Sequence, residues 1–160
     1  MNSLLQLFYE DHEHALMQLD QLHVHLEELR KGAEIERVKL QLIGFTKFLE
    51  VALDIHFVQE EQALFPLMSE KIGPNGPVMV MEREHDDLRN EQKALKEELM
   101  KETPAKDVAL KHAGLILQVL REHIHKENQI LFPLSERILS LDEWKTAERI
   151  AGNIALGIKE

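Results

Sequence analysis

Two pairs of metal-ligating side chains occur at the same spacing in this sequence. His56 precedes Glu60 by four residues, and His123 precedes Glu127 by four residues. On an α-helix this spacing leaves about 40° between two side chains, so each pair projects from one face, one turn apart. An imidazole and a carboxylate presented together can hold a metal ion. Two such pairs that face each other would enclose a two-metal site.

The two pairs belong to a longer repeat. The stretches 56–66 and 123–133 align without gaps, and from position 56 to position 67 seven side chains agree with their counterparts in the second copy. In the first copy these are His56, Glu60, Gln62, Leu64, Phe65, Pro66 and Leu67. A second echo relates positions 11–13 to positions 84–86, with a histidine at the centre of each. The chain therefore has the pattern of one duplicated helical hairpin.

Length and composition set the class of protein. A chain of 160 residues is enough for a single domain, with 44% apolar and 30% charged residues as in soluble globular proteins. A net charge of −10 disfavours nucleic-acid and membrane partners. The sequence has no cysteine, which excludes disulfides, zinc–thiolate sites and thiol catalysis. The N-terminus lacks the pattern of a signal peptide, so we expect a cytoplasmic location.

Apolar residues recur at a helical period along most of the chain. The pattern predicts helices over residues 4–31, 34–72, 78–102, 104–139 and 141–156. Short connections between long helices predict an all-α fold, an up-down-up-down four-helix bundle with a short fifth helix, in one domain spanning residues 1–160. Pro66 and Pro133 lack an N–H and clash with the preceding turn, so each should kink its helix beyond the polar pair.

Local signals predict where three of these helices begin. Ser3 and Gln6 have the form of a capping box, as do Ser140 and Glu143. Thr103 followed by proline predicts an N-cap and the first turn of the fourth helix.

The four histidines on the apolar stripes fall at one depth along the predicted bundle. His12 and His56 lie at nearly equal distances before and after the first hairpin turn, and His85 and His123 do the same about the third turn. At about 1.5 Å rise per residue, each pair agrees within roughly 6 Å. A single core histidine is more often satisfied by a neighbouring acceptor. Two buried carboxylates in the same layer, however, would each cost several kcal/mol without a counter-charge, which a pair of cations supplies.

The ligand types indicate the metal. Two histidines with one carboxylate and open positions form the non-haem iron triad, which would occur twice here. Structural zinc would favour thiolates, and calcium or magnesium would favour oxygen ligands. We therefore expect two iron ions, with manganese or zinc as possible substitutes.

This arrangement resembles the hemerythrin-like (HHE) cation-binding family. The matching motifs are Asp11-His12, His56 to Glu61 with Leu64-Phe65-Pro66, Glu84-His85, and His123 to Glu127 with Leu131-Phe132-Pro133. The resemblance covers nearly the whole chain and implies two non-haem iron ions bridged by carboxylates and by an oxo or hydroxo group. Carried over by position, it implies the metal ligands His12, His56, Glu60, His85, His123 and Glu127.

One position departs from the family pattern. Oxygen-carrying hemerythrins have a fifth histidine one turn after the third-helix ligand, and here that position is Arg89. Glu82, Tyr9 and Glu61 flank the site and are the candidates to fill the place. The departure argues against reversible oxygen carriage, which depends on one saturated iron.

The remaining histidines are interpreted as structural. His14 and His125 lie about 200° round the helix from ligands and should be solvated. His23 and His112 are in phase with the ligands but about 16 Å along the axis, so we expect them at the edge of the core.

Several functions are compatible with such a site. The first is a di-iron protein that binds or senses O₂ or a related small diatomic ligand. The second is a di-iron redox enzyme acting on peroxide, although no catalytic residue beyond the metal ligands stands out. Iron handling is a third. Ferritin-type bundles use Glu-x-x-His pairs, a spacing found here at Glu82 to His85, and relatives that repair iron–sulfur clusters usually carry a separate cysteine-bearing segment. A metal-free interaction bundle is the fourth.

Overall fold

The computed structural model describes residues 2–158, and this part of the chain is built from five helical rods without strands. The first rod is α1 (Ser3–Arg30). The second runs through α2 (Ile35–Phe48), a π-helical turn (Leu49–Leu53), α3 (Asp54–Gln59), a second π turn (Glu60–Leu64) and α4 (Phe65–Ile72). The third is α5 (Pro77–Leu99), and the fourth joins α6 (Lys106–Lys126), a π turn (Glu127–Leu131) and α7 (Phe132–Ile138). The fifth is α8 (Leu141–Ala155).

The first four rods form the predicted up-down-up-down bundle, so the fold class is confirmed. α1 packs beside α2 and α6, and α5 packs beside the same two helices, which closes a four-membered ring. α8 crosses one end of this ring and contacts α1, α3 and the π turn Glu60–Leu64. No helix in the described part of the chain has the length and apolar character that a membrane span requires.

The interior contains two apolar clusters with a polar layer between them. The first cluster fills the half of the bundle towards the α1–α2 connection and includes Leu19, Leu26, Leu42, Leu95 and Leu120. The second fills the other half beneath α8 and includes Leu5, Phe65, Met68, Phe132 and Trp144. Between them lie buried histidines and glutamates. The polar layer therefore forms where apolar side chains shield it from both sides.

The first helix is capped differently from the prediction. Asn2, not Ser3, is the N-cap, and its side-chain oxygen accepts from the backbone N–H of Leu5 at 2.8 Å. Ser3 is the first helical residue, and its hydroxyl donates to Glu148 of α8 at 3.0 Å. An asparagine is at least as good an N-cap as a serine, so the helix begins one residue earlier than expected.

The fourth rod, in contrast, begins two residues later than the sequence predicts. α6 starts at Lys106, with Ala105 as its N-cap, so Thr103 does not cap it. Glu98, near the end of α5, accepts from the backbone N–H of Ala105 at 2.8 Å and from Lys101 at 2.9 Å. The cap is supplied by a side chain from the preceding helix, which a local motif cannot reveal. The second predicted capping box, at the start of α8, is present.

A π turn precedes each of the two prolines for which a kink is predicted. The N–H of Phe65 bonds to the carbonyl of Glu60, and the N–H of Phe132 bonds to the carbonyl of Glu127, each across five residues. The proline follows directly in both cases. Widening the turn accommodates a residue that cannot donate a hydrogen bond, and it begins at the polar pair itself. The third π turn, Leu49–Leu53, has no proline after it.

Candidate metal centre

Glu60 lies between histidines from two rods. Its Oε1 atom is 3.2 Å from Nε2 of His56 on the same rod and 3.2 Å from Nε2 of His85 on α5. The carboxylate has no exposed surface. The four-residue spacing read from the sequence thus places one pair on a common face, and α5 adds a second imidazole to it.

Glu127 has the matching position in the other half of the bundle. Its Oε1 atom is 3.1 Å from Nε2 of His123 and 3.2 Å from Nε2 of His12 on α1. The Nε2 atoms of His85 and His123 are 3.2 Å apart. The structure therefore brings together all six residues that the sequence singles out, and none is more than 1% exposed.

The six side chains form two groups that could each hold a metal ion. The first group is His12, His56, Glu60 and Glu127, and we call it position A. The second is Glu60, His85 and His123, and we call it position B. Within each group the ligand atoms lie within 4.8 Å of one another, and Glu60 belongs to both. A carboxylate with two oxygens is suited to such a shared place.

Several buried polar atoms in this layer have no hydrogen-bond partner, and a bound cation would stabilise them. Among the described residues, Nε2 of His56 and both oxygens of Glu60 and of Glu127 have no hydrogen-bond partner, although all are buried. Buried carboxylate oxygens without donors cost several kcal/mol. Lone pairs at about 3 Å from one another repel unless a cation or a proton lies between them. The donor set of imidazole nitrogens and carboxylate oxygens fits a pair of iron ions.

The outer nitrogen of each histidine is held by another side chain. Nδ1 of His56 donates to Asp11 and Nδ1 of His123 donates to Glu84, both at 2.9 Å. Each acceptor immediately precedes a histidine of the site in sequence. A carboxylate on Nδ1 fixes the orientation of the ring and leaves the lone pair of the neutral imidazole on Nε2, towards the metal positions.

The other two histidines are held by the residues that follow the glutamates. Nδ1 of His85 donates to Glu61 at 2.8 Å, and Nδ1 of His12 donates to Asn128 at 2.6 Å. The sequence predicts this outer role for none of the four acceptors. The signal was nevertheless present, because Asp11 and Glu84 share one repeat position and Glu61 and Asn128 share another.

The pKa values of two groups in the layer also show that it lacks positive charge. Burial raises the pKa of Glu60 well above its usual range, and the neighbouring Glu127 carboxylate adds to the rise. Burial opposes the charge on His123, but Glu127 and Glu84 outweigh it and raise the pKa of His123 to about 10. Protons thus take up part of the negative charge that metal ions would otherwise neutralise.

Arg89 does not enter the centre. Its guanidinium donates to both oxygens of Glu61, at 2.8 and 2.9 Å, and to Asp54 at 2.9 Å. It also lies over the ring of Phe57, 5.6 Å from the ring centroid. The arginine therefore occupies the place of a fifth histidine in sequence and forms an ion pair beside the centre in space.

None of the three candidates for the fifth-histidine place supplies a ligand among the described residues. Glu82 is exposed, and Glu61 lies on the outer side of His85. Tyr9 packs edge-on against Phe132, with ring centroids 5.3 Å apart. Position A is therefore left with two imidazoles and both glutamates, and position B with two imidazoles and Glu60.

Aromatic and aliphatic side chains enclose the layer. Phe57 stacks on His85 with ring centroids 3.8 Å apart, and Phe132 stacks on His12 at 5.2 Å. Leu64, Leu131 and Ile124 are buried around them. These side chains form an apolar wall around the layer and limit the entry of water.

The remaining histidines lie outside the centre. His14 and His125 are exposed, as expected. His112 is half-buried and bonds to Glu91 through Nδ1. His23 is exposed, so its prediction as a core-edge residue is wrong: the apolar stripe of α1 passes through Leu22 and Leu26, and His23 lies beside it.

Comparisons with known proteins agree with this geometry. The model of the Hemerythrin HHE cation binding domain matches residues 3–135. The iron-sulfur cluster repair protein YtfE of Enterobacter sp. (strain 638) is 32% identical over 112 residues, or 65% of this chain and 51% of that protein. YtfE of Escherichia coli O81 (strain ED1a) is 34% identical over 101 residues, covering 56% and 46%. The chain thus spans about half the length of these relatives. No solved structure matches it.

Proposed function

Because the chain belongs to the hemerythrin HHE cation-binding domain family, we propose that its buried centre is a non-haem di-iron site that serves in the repair of iron–sulfur clusters. The six residues proposed to hold the metals are His12, His56, Glu60, His85, His123 and Glu127. Repair is the activity named for the relatives, which are 32% and 34% identical over about half of their own length. This similarity supports a role in iron–sulfur cluster repair for the present chain.

The absence of a third imidazole at both metal positions carries the proposal. Arg89 is turned to Glu61 and Asp54, so among the described residues neither position gains the extra histidine of an oxygen carrier. Two histidines with Glu60, joined by Glu127 at position A, would leave coordination places open at both metals. Open places on both sides suit a centre that exchanges iron or reacts with ligands more than one that stores a single diatomic molecule.

The protein's own residues give the centre its setting. Glu60 belongs to both metal positions and would help to hold both ions. The outer carboxylates Asp11 and Glu84 keep the imidazoles of His56 and His123 oriented inwards. Bound iron would supply Lewis acidity and one-electron redox chemistry at this place. The apolar wall keeps bulk water from the layer.

The proposed partner is a protein with a damaged iron–sulfur cluster. The present sequence has no cysteine, so the thiolates that hold the cluster belong to the client. The net charge of −10 favours a client with a positive or mixed surface at the contact.

Recovery of a damaged iron–sulfur hydratase tests the proposal. The iron-loaded protein is added without oxygen to the peroxide-damaged enzyme, and the hydratase activity is followed with time. We expect faster recovery than with the same concentration of free ferrous iron, and no such advantage with the His56→Ala variant. His14→Ala is the matched control and should behave as wild type. Recovery no faster than with free iron contradicts the proposal.

Binding or sensing of a diatomic ligand is the second candidate. The dry wall of Phe57, Leu64 and Ile124 favours it, because apolar surroundings protect a reduced metal–ligand complex from water. Exposure of the reduced protein to O₂ distinguishes the two: a stable, reversible change in the visible absorption spectrum supports binding. Rapid consumption of added peroxide with release of gas would support the enzyme alternative instead.

A further inference from the structure

We propose that Arg89 is a positioning residue for one metal position alone: it braces His85 from two sides, so that position B is built more firmly than position A. The inference rests on the proposed di-iron site and concerns the inequivalence of its two halves. It does not depend on the reaction that the centre performs.

The first contact runs through Glu61. Both oxygens of Glu61 accept from the guanidinium of Arg89, and one of the same oxygens accepts from Nδ1 of His85 at 2.8 Å. A two-pronged arginine–carboxylate pair has a fixed geometry that a lysine cannot reproduce. Because the carboxylate is fixed, the imidazole that donates to it is fixed as well.

The second contact runs through Phe57. The guanidinium lies over the Phe57 ring. The same ring stacks on the imidazole of His85 at an interplanar angle of 13°. Arg89 also donates to Asp54, one turn before Phe57 on the same rod. The ring of His85 is thus held at its edge by Glu61 and at its face by Phe57, and Arg89 contacts both.

The other half of the duplicated bundle lacks this network. When the two hairpins are aligned through their shared motifs, the counterparts of Arg89, Asp54 and Glu61 are Leu16, Arg121 and Asn128. Arg121 bonds to Asp20 instead. His12, the equivalent of His85, therefore donates to the uncharged amide of Asn128, which pairs with no arginine among the described residues.

The same asymmetry appears at the second histidine of each position. Glu84, which accepts from His123 at position B, also accepts from Lys126. The repeat counterpart of Lys126 is Gln59, which bonds to Ala151. Among the residues that the structure describes, no lysine or arginine pairs with Asp11, the acceptor for His56 at position A. Both outer carboxylates of position B are thus anchored by cations.

The consequence is stepwise metal binding. Outer partners of ligating histidines typically change metal affinity by about 10–100-fold, because they set the orientation and basicity of the ligand. The network around Arg89 should act on the ion at position B, since both the two-pronged pair with Glu61 and the closest ring contact of Phe57 lead to His85. Loss of the arginine should therefore weaken one of two metal equivalents and leave the other unchanged.

Titration of the metal-free protein with Co²⁺, followed by visible absorption, tests this directly. Wild type should bind two equivalents. In Arg89→Gln we expect the dissociation constant of one equivalent to rise about 10–100-fold. The dissociation constant of the other equivalent should not change. Arg89→Lys should give an intermediate rise, because it restores the charge without the two-pronged contact. Arg121→Gln is the matched control, and it should change neither equivalent.

A double-mutant cycle assigns the effect to His85. In the His85→Ala background, Arg89→Gln should cause no further loss, because the group it positions has been removed. If circular dichroism shows that Arg89→Gln does not fold, Glu61→Gln is used in its place. This change gives His85 an amide acceptor, like the Asn128 amide that accepts from His12 at position A. Equal weakening of both equivalents, no weakening, or an undiminished effect in the His85→Ala background overturns the proposal. Failure of the hydratase assay leaves these outcomes unaffected.

Discussion

The side-chain amide of Gln59 donates a hydrogen bond to the backbone carbonyl oxygen of Ala151, across 3.0 Å. Gln59 is buried and immediately precedes Glu60, while Ala151 lies in α8, beyond the residues that the family model matches. Trp144 and Ala147 of the same helix are buried in the cluster below the metal layer. The C-terminal helix is therefore tied to the rod segment that presents a proposed ligand.

Loss of this tie should lower stability. We expect Gln59→Leu to reduce the free energy of unfolding by about 1 kcal/mol, the usual net value of one hydrogen bond. In a domain of this size that corresponds to a fall in Tm of about 2–4 °C, measurable by differential scanning calorimetry. Gln62→Leu, at an exposed position on the same rod, is the control and should stay within about 0.5 kcal/mol of wild type.

The outer partner of His56 should matter for metal affinity. Asp11→Ala removes the acceptor for Nδ1 of His56, so the ring loses its fixed orientation. We expect the affinity for metal to fall about 10–100-fold in an isothermal titration of the metal-free protein. Glu13→Ala, an exposed acid two residues away, controls for the change in charge. If both variants weaken binding equally, the effect is general electrostatics and the orienting role is wrong.

Glu98 should make the stability depend on pH. The backbone N–H of Ala105 and the ammonium of Lys101 lower the pKa of Glu98 below its usual value of 4.5. A lowered pKa in the folded state means that the stabilisation is full above the unfolded-state pKa and is lost as the pH falls through the folded-state pKa. Wild type should therefore be more stable than Glu98→Gln at pH 7, and the difference should close in more acidic solution.

Urea unfolding at a series of pH values measures this difference. Glu97→Gln, next in sequence and exposed, is the matched control and should show no such trend. A stability difference between wild type and Glu98→Gln that is the same at pH 7 and at pH 3 would contradict the capping role of the carboxylate.

Metal binding should stabilise the fold through the proposed ligands. A ligand that binds only the folded state at a hundred times its dissociation constant adds about 2.7 kcal/mol. We expect a chelator to lower the Tm of the loaded protein, and His56→Ala to abolish most of that difference. His14→Ala should leave both the iron content and the Tm unchanged, since His14 is exposed on the opposite face of α1. Iron loss in His14→Ala would mean that the wrong face of α1 has been assigned to the core.

The duplicated spacing made much of this centre predictable. Helical periodicity placed His12 and His85 on core faces, and residue counts along the hairpins placed them level with His56 and His123. The structure brings these side chains together. Such a prediction works because the rise of a helix is constant, so distance along the sequence converts directly into depth along the bundle.

Contacts between rods could not be obtained in this way. His12 donates to Asn128, far along the sequence on the fourth rod, and Ala105 donates to Glu98 of the preceding helix. Periodicity gives the face and the depth of a residue but not the rotamer of its neighbour on the next rod. The π turn Leu49–Leu53 was not predicted, because it contains no proline or glycine that would indicate a change in the helical hydrogen bonding.

The iron content of the protein reconstituted with ferrous iron without oxygen is the most direct test of the central claim. The measurement is atomic emission after removal of unbound metal, with Mössbauer spectroscopy to identify coupled iron pairs. We predict two iron ions per chain in wild type and in His14→Ala, and a loss of both when Glu60 and Glu127 are replaced together by alanine. Wild type without iron, or two ions retained after loss of both glutamates, would contradict the account.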